Sequence, residues 1–180
     1  MSKKDKVMPL YRLVVCAFLV ALSIVCGKFL AIPVGEILRF SFENLPILFA
    51  GLAFGPVAGA LVGVCADLLG CVLRGYAINP WVTAGAVCIG LLAGLGGLLL
   101  RRAPLAARVG VTTAVAHVVG SVVIKTIGLS AYYSMPVWAL MGWRLLNYTI
   151  VGVVEAVLLY FLLRHPGIRR LLPVRKEGAQ

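Results

Sequence analysis

The stretch AFGPVAGALVGVCADLLG, residues 53–70, decides the fold of this chain. It lies in an apolar run that begins at Leu45 and meets no cation before Arg74, and a run of this length exceeds what one membrane crossing needs. Gly55 and Pro56 stand in its middle. Proline ends a preceding helix because it lacks an amide hydrogen, and glycine permits a tight turn. The run therefore predicts two helices, a short one over about 42–54 and a longer one over about 56–73.

The composition indicates that lipid surrounds most of the chain. Of 180 residues, 62% are hydrophobic, whereas soluble domains are typically nearer half apolar. Backbone groups in hydrocarbon must bond within helices or a closed barrel, and a barrel would show alternating strands of about ten residues. The runs here are about 14–22 residues long and do not alternate, so we predict an all-α membrane protein.

Six membrane helices are expected, in a single domain that comprises residues 1–180. The predicted spans are 10–31, 42–54, 56–73, 82–100, 109–130 and 138–163. The first run is longer than the roughly 7–15 apolar residues of a signal peptide, so we expect it to be retained. A single kinked helix over 45–73 would leave five spans and move the C-terminus to the other side.

Loop charges favour six helices with both termini in the cytoplasm. The six-helix arrangement places twelve of the seventeen Lys and Arg residues on the cytoplasmic side, as the positive-inside rule requires. Basic cytoplasmic tails then cover about 1–9 and 164–180. We expect the C-terminal tail to lie on anionic lipid and not to bind nucleic acid.

Three predicted helices each carry one polar stripe, and lipid cannot receive such stripes. They must therefore face one another or a wet cavity. The stripes are Asp67, Cys71 and Arg74; His117, Ser121 and Lys125; and Arg144, Tyr148 and Glu155, with Asn147 adjacent.

Depth along the helices sorts these groups. The cations lie at the outer ends, and the histidine and the acids lie deeper; the cations are Arg39, Arg74, Lys125 and Arg144, and the deeper groups are Asp67, His117 and Glu155. This pattern predicts a cavity that opens outward, for a ligand with an anionic end and a hydrogen-bond-donating end.

Simpler interpretations of single residues stay open. Arg74 and Lys125 are also typical of cations that extend to the membrane interface. Asp67 could pair with Arg74 or cap a neighbouring backbone, and Glu155 could be a structural partner of His117 or Lys125. The aromatic residues near the outer ends suit either an interfacial belt or stacking on a planar ligand.

Several motifs are missing from the sequence. No G-x-x-x-x-G-K-[ST] loop is present, so any ATP-driven function needs a separate motor. No H-E-x-x-H or G-x-S-x-G motif supports an intramembrane enzyme, and His117 has no second ligand at metal-binding spacing. We expect neither a metal nor a cofactor.

Residues 38–70, LRFSFENLPILFAGLAFGPVAGALVGVCADLLG, resemble the substrate-binding S components of energy-coupling factor (ECF) vitamin transporters, in particular the folate-type branch. The matching elements are R-x-S-F, L-P, G-x-x-F-G-P and G-x-x-x-D-L-L-G, and a looser likeness covers about 12–163. The resemblance implies six helices, no ATPase of its own, and a vitamin pocket open to the outside of a prokaryotic plasma membrane. It also implies delivery through a transmembrane coupling subunit and two ATPase subunits, with docking at Ala17 and Ala21 of an A-x-x-x-A motif.

The resemblance implies that the ligand is folate and suggests roles for particular residues. Asp67 would accept hydrogen bonds from the pterin edge, since an ionised carboxylate accepts two N–H bonds. The other expected binding residues are cations for the glutamate carboxylates (Arg39, Arg74, Lys125, Arg144), aromatic rings for stacking (Trp81, Tyr132, Tyr133) and lining residues (Asn147, Glu155). The stretch YAINPWVT (76–83) departs from the folate-type pattern, so another anionic compound such as pantothenate or a queuosine precursor is an alternative. A further alternative, from another functional class, is an intramembrane enzyme that uses Asp67, His117 and Glu155.

Overall fold

The computed structural model describes residues 10–34, 38–133 and 136–171, without the side chains of 33, 34, 38, 39, 133 and 169–171. In chain order the elements are α1 (Leu10–Phe29), β1 (Ile32–Val34), β2 (Leu38–Phe40), α2 (Leu45–Phe54), α3 (Pro56–Arg74), α4 (Pro80–Leu99), α5 (Leu105–Ala116), a π-helical segment (His117–Ile124), α6 (Lys125–Tyr133), α7 (Val137–Arg164) and α8 (Pro166–Leu171).

The described residues contain five helices that are long and apolar enough to cross a membrane. They are α1, α3, α4, the continuous helix Leu105–Tyr132 and α7. The second predicted span, 42–54, corresponds to α2, whose ten residues extend about 15 Å, roughly half of the hydrocarbon thickness. The all-α prediction is confirmed. The side of the membrane on which each terminus lies stays a prediction.

The division between α2 and α3 lies where Gly55 and Pro56 predict it. Gly55 has a φ of +98°, a backbone conformation that favours glycine, and Pro56 is the first residue of α3. The Gly55 amide donates to the carbonyl of Gly51 at 2.9 Å, and the Gly59 amide donates to the carbonyl of Gly55 at 3.1 Å. One residue therefore ends one helix and begins the next.

A short antiparallel pair of strands, which the sequence did not predict, joins α1 to α2. Ile32 of β1 pairs with Phe40 of β2. Strands of three residues are too short to produce a recognisable alternation of apolar and polar residues. They place the chain so that residues 41–44 enter the bundle just before α2.

Helix α4 lies at the centre of the bundle and contacts α2, α3, α5, the π-helical segment and α6. Its contact with α3 is the most extensive, because Gly59 and Gly90 bring the two backbones together and an added Cβ at either position would overlap the other helix. Large apolar side chains on the outer helix surfaces are exposed, as lipid contact requires; examples are Phe29, Leu99 and Trp138.

The fifth predicted span is not a plain α-helix. At its π-helical segment, His117–Ile124, the Lys125 amide donates to the carbonyl of Gly120, five residues earlier. Such segments are rare, and helical periodicity in a sequence does not reveal them. This helix also begins at Leu105 and α4 begins at Pro80, a few residues before the predicted starts.

Candidate functional site

Four polar residues from different parts of the chain meet at one end of the bundle, and we call them the Glu43 cluster: Glu43, Asn44, Arg74 and Lys125. Glu43 and Asn44 precede α2, Arg74 ends α3 and Lys125 begins α6. Arg74 Nη2 lies 3.5 Å from Glu43 Oε2, and Lys125 Nζ lies 3.8 Å from Glu43 Oε1. Lys125 Nζ also donates to Asn44 Oδ1 at 3.5 Å. One carboxylate is thus shared between two cations.

The Glu43 cluster has more donors than acceptors among the described residues. The side chains of Lys125 and Arg74 are only 5% and 13% exposed, so both charges are largely removed from solvent. Both ion-pair distances exceed the 2.7–2.9 Å of a strong charge-assisted hydrogen bond. Arg74 Nε and Asn44 Nδ2 are buried and have no hydrogen-bond partner in the described part of the chain. The arrangement favours an additional anionic group.

Two glycines, which have no side chain, provide the space that the Glu43 cluster occupies. At Gly27 of α1, an added Cβ would overlap Arg74 Nη2 and lie 2.9 Å from Glu43 Oε2. At Gly85 of α4, an added Cβ would lie 2.5 Å from Lys125 Cγ. Both distances are shorter than ordinary van der Waals contacts, so neither position accepts a larger residue without moving the cluster.

Helix α1 also holds the segment that carries Glu43. Ser23 Oγ donates to the backbone carbonyl of Glu43 at 2.6 Å, and the Glu43 amide donates to Ser41 Oγ at 3.2 Å. Ser23 and Gly27 are buried on one face of α1, whereas Ala17 and Ala21 are exposed. The alanines therefore meet the accessibility that docking requires, and their docking role stays a prediction.

A second polar group, which we call the His117 network, joins the π-helical segment to α7: His117, Ser121, Arg144, Tyr148 and Glu155. His117 Nε2 lies 2.5 Å from Glu155 Oε2, His117 Nδ1 lies 3.3 Å from Ser121 Oγ, and the imidazole stacks on Tyr148 with 5.2 Å between ring centroids. Arg144 Nε and Nη2 donate to the backbone carbonyl of Ser121 at 3.1 and 2.9 Å. The Arg144 guanidinium also lies over Tyr148, 5.2 Å from the ring centroid.

Asp67 belongs to neither group of contacts. Its carboxylate accepts a 2.6 Å hydrogen bond from Thr83 Oγ1, which joins α3 to α4, and the residue is half-buried. The alternative pairing of Asp67 with Arg74 is not seen, because Arg74 pairs with Glu43.

The predicted aromatic and lining residues differ in accessibility. Trp81 and Tyr132 are 53% and 62% exposed. Asn147 is buried. The side chains of Arg39 and Tyr133 lie outside the described residues.

The three predicted stripes thus meet in two places and not in one. Arg74 and Lys125 come together around Glu43, and Arg144 and Glu155 join the π-helical segment. Sequence reasoning missed Glu43 and Asn44. The available signal was their position: they are adjacent polar residues directly before an apolar helix, and buried cations require a counter-charge.

A cavity of about 330 Å³ lies elsewhere, between α5, the π-helical segment and α7. Its lining is mainly small and apolar, including Gly110, Ala114, Gly152 and Val153, and His117 and Tyr148 border it. Neither Arg74 nor Lys125 lines this cavity, so it is distinct from the Glu43 cluster.

Comparison with known proteins points to one class. Residues 8–165 match the family described as ECF-type riboflavin transporter, S component. The folate transporter FolT of Clostridium novyi (strain NT) is 29% identical over 151 residues, which cover 80% of this chain and 83% of that protein.

Solved structures have the same fold. A crystal structure of FolT bound with folic acid matches with a TM-score of 0.69 at 22% identity, over 83% of this chain and 90% of that one. The S component for biotin from an ECF-type ABC transporter matches with a TM-score of 0.63 at 18% identity, over 96% and 99%.

Proposed function

Because the chain belongs to the ECF-type riboflavin transporter S component family, we propose that it is the folate-binding subunit of an ECF-type importer. Proteins of this family are substrate-binding components of transporters and not enzymes. The apolar helices and the family together make the chain a multi-pass prokaryotic membrane protein. We place it in the plasma membrane, where it would take up its ligand from outside.

The charge of the Glu43 cluster is the observation that carries the choice of ligand. Two largely buried cations share one carboxylate, and two further buried donors have no described partner. Riboflavin, which the family description names, has no carboxylate and is neutral at pH 7. Folate carries two carboxylates on its glutamate end and can supply the missing negative charge. The likeness to FolT supports the same choice.

Specific roles follow from this assignment. Arg74 and Lys125 would bind the glutamate carboxylates. Asp67, already an acceptor for Thr83, would accept hydrogen bonds from the pterin. The exposed rings of Trp81 and Tyr132 would stack on the ligand.

The other predicted contacts divide into two sets. Arg39, Tyr133 and Asn147 remain candidates for direct contact. Arg144 and Glu155 are engaged by Ser121 and His117, which favours a supporting role for these two residues.

Import would need partners that supply energy. We propose that a transmembrane coupling subunit docks on the exposed Ala17 and Ala21 of α1, and that two cytoplasmic ATPase subunits drive release of the ligand. Small residues allow another helix to approach closely, which suits this surface. Membrane lipid would cover the remaining apolar surface, and no nucleic acid is involved.

Titration with two ligands tests the assignment. The purified chain in mild detergent is titrated separately with folic acid and with riboflavin, and binding is followed by calorimetry. We expect folic acid to bind and riboflavin not to bind. Lys125→Met should weaken folic acid binding at least about tenfold, whereas Lys125→Arg, which keeps the charge, should retain most of it.

The other outcomes are equally informative. Binding of riboflavin alone would show that the charge argument is wrong. Binding of a different small anion, such as pantothenate or a queuosine precursor, in place of folic acid would keep the transporter class and replace the ligand.

A further inference from the structure

The π-helical segment changes which carbonyl the Lys125 amide contacts. In an α-helix that amide would bond to Ser121, four residues earlier, but here it donates to Gly120, five residues earlier. The Ser121 carbonyl instead accepts two hydrogen bonds from the Arg144 guanidinium. A side chain of α7 thus takes the place that the Lys125 amide would have in a regular helix.

The π-helical segment also determines which side chains face the bundle. In an α-helix each residue turns by about 100°, so His117, Ser121 and Lys125 would drift by about 40° at each step of four. A π-helix takes roughly one more residue per turn, which opposes this drift. All three side chains are buried, whereas Val118 and Val123 are exposed to lipid. The segment therefore aligns Lys125 with His117 and Ser121.

The position of Lys125 leaves little freedom. Its aliphatic stem passes Gly85 of α4, and its ammonium reaches Asn44 and Glu43. Without the π-helical segment Lys125 would be rotated by about 80° relative to His117, which would carry its ammonium away from Asn44 and Glu43.

We propose that Arg144 is a positioning residue for Lys125: by bonding to the Ser121 carbonyl it stabilises the π-helical segment, and that segment aims the Lys125 ammonium at the Glu43 cluster. The role of Lys125 in holding a ligand carboxylate rests on the proposed function, but the geometric part does not. On this proposal Arg144 influences ligand affinity without touching the ligand.

A cross-linking experiment tests the geometric part without any ligand. In a full-length chain whose five cysteines are replaced by alanine, Asn44→Cys and Lys125→Cys are combined and treated with a short homobifunctional methanethiosulfonate. We expect efficient cross-linking, and a several-fold lower yield when Arg144→Gln is added. Leu146→Ala, a neighbouring change on the lipid-facing surface of α7, should leave the yield unchanged.

Arg144→Lys serves as a second variant if Arg144→Gln folds poorly. Lysine keeps the charge but not the two-pronged donor, so we expect an intermediate yield. A yield that is unchanged in both Arg144 variants would overturn the proposal.

A double-mutant cycle tests the functional part with folic acid as the probe. Arg144→Gln alone should weaken binding about tenfold, or about 1.4 kcal/mol. Added to Lys125→Met, it should weaken binding no further, because the residue through which it acts is already gone. If the affinity losses of Arg144→Gln and Lys125→Met multiply in the double variant, Arg144 contacts the ligand directly. Failure of the unaltered chain to bind folic acid would contradict the proposed function, while the cross-linking result would still decide the role of Arg144.

Discussion

Replacing Glu43 by glutamine should make the ligand-free protein less stable and the response to ligand larger. The change keeps the side-chain shape and removes the one described carboxylate that Arg74 and Lys125 share. In our interpretation this carboxylate is a resident counter-ion that fills part of the place of a ligand carboxylate. Its removal would leave the two largely buried cations without this counter-ion until the ligand supplies a carboxylate.

The magnitude follows from the distances. At an effective dielectric constant near 20, charges 3.5 and 3.8 Å apart attract by about 4–5 kcal/mol for each pair before desolvation is counted. Breaking a buried pair by removing one partner typically costs about 3–5 kcal/mol. Because the Glu43 side chain is 24% exposed, we expect the lower end, about 3 kcal/mol. For a chain of this size that corresponds to a fall in Tm of roughly 6–12 °C.

The assay is thermal unfolding in detergent with and without saturating folic acid. We expect the ligand to raise Tm by more in Glu43→Gln than in the unaltered protein. Thr149→Val is the matched control, because the Thr149 hydroxyl is exposed and its hydrogen bond among the described residues stays within its own helix, to the Leu145 carbonyl. A smaller ligand response in Glu43→Gln would refute the reasoning and make Glu43 a ligand contact. An unchanged Tm without ligand would mean that the cluster does not form.

Three further substitutions give distinct outcomes. Gly85→Ala places a methyl group against the aliphatic stem of Lys125 and should weaken folic acid binding about tenfold in calorimetry. Gly97→Ala is the control: its added carbon meets neighbouring atoms only at 3.5 Å, so this variant should bind folic acid normally. Asp67→Asn should reduce affinity more than Thr83→Val does, since only the first removes the carboxylate; equal losses would point to the helix contact as the cause. Glu155→Ala should lower Tm strongly while the remaining folded protein keeps its affinity, because it leaves His117 without its acidic partner; lost affinity at unchanged Tm would place Glu155 in the ligand site.

The sequence predicts the helices well because their ends carry strong local signals. Gly55 and Pro56 divide α2 from α3 whatever surrounds them, and the long apolar runs set the membrane spans. The π-helical segment carries no comparable signal. Its extra residue depends on the contact between Arg144 and the Ser121 carbonyl. These two residues are twenty-three positions apart, so no local sequence pattern contains the contact.

The candidate site is predictable in its charges but not in its partners. Spacing along a helix places Arg74 and Lys125 on inward faces, and the structure joins them. Spacing does not say which neighbour a face meets, so it could not separate the Glu43 cluster from the His117 network. Glu43 was not predicted as a site residue because it lies between a strand and a helix. Outside a regular element, periodicity does not indicate which way a side chain faces.

The hydrogen bond from Ser23 to the Glu43 carbonyl connects α1 to the Glu43 cluster, so α1 has two roles. One face of this helix carries the exposed alanines proposed for docking, and the other supports the segment that meets Arg74 and Lys125. At Gly27, α1 lies directly against the Arg74–Glu43 ion pair, with no room for a further atom. A docked subunit that displaces α1 would therefore also disturb this ion pair. Thermodynamic reciprocity then fixes a relation between the two sites. Whatever factor docking applies to ligand affinity, the ligand must apply to docking affinity, in the same direction.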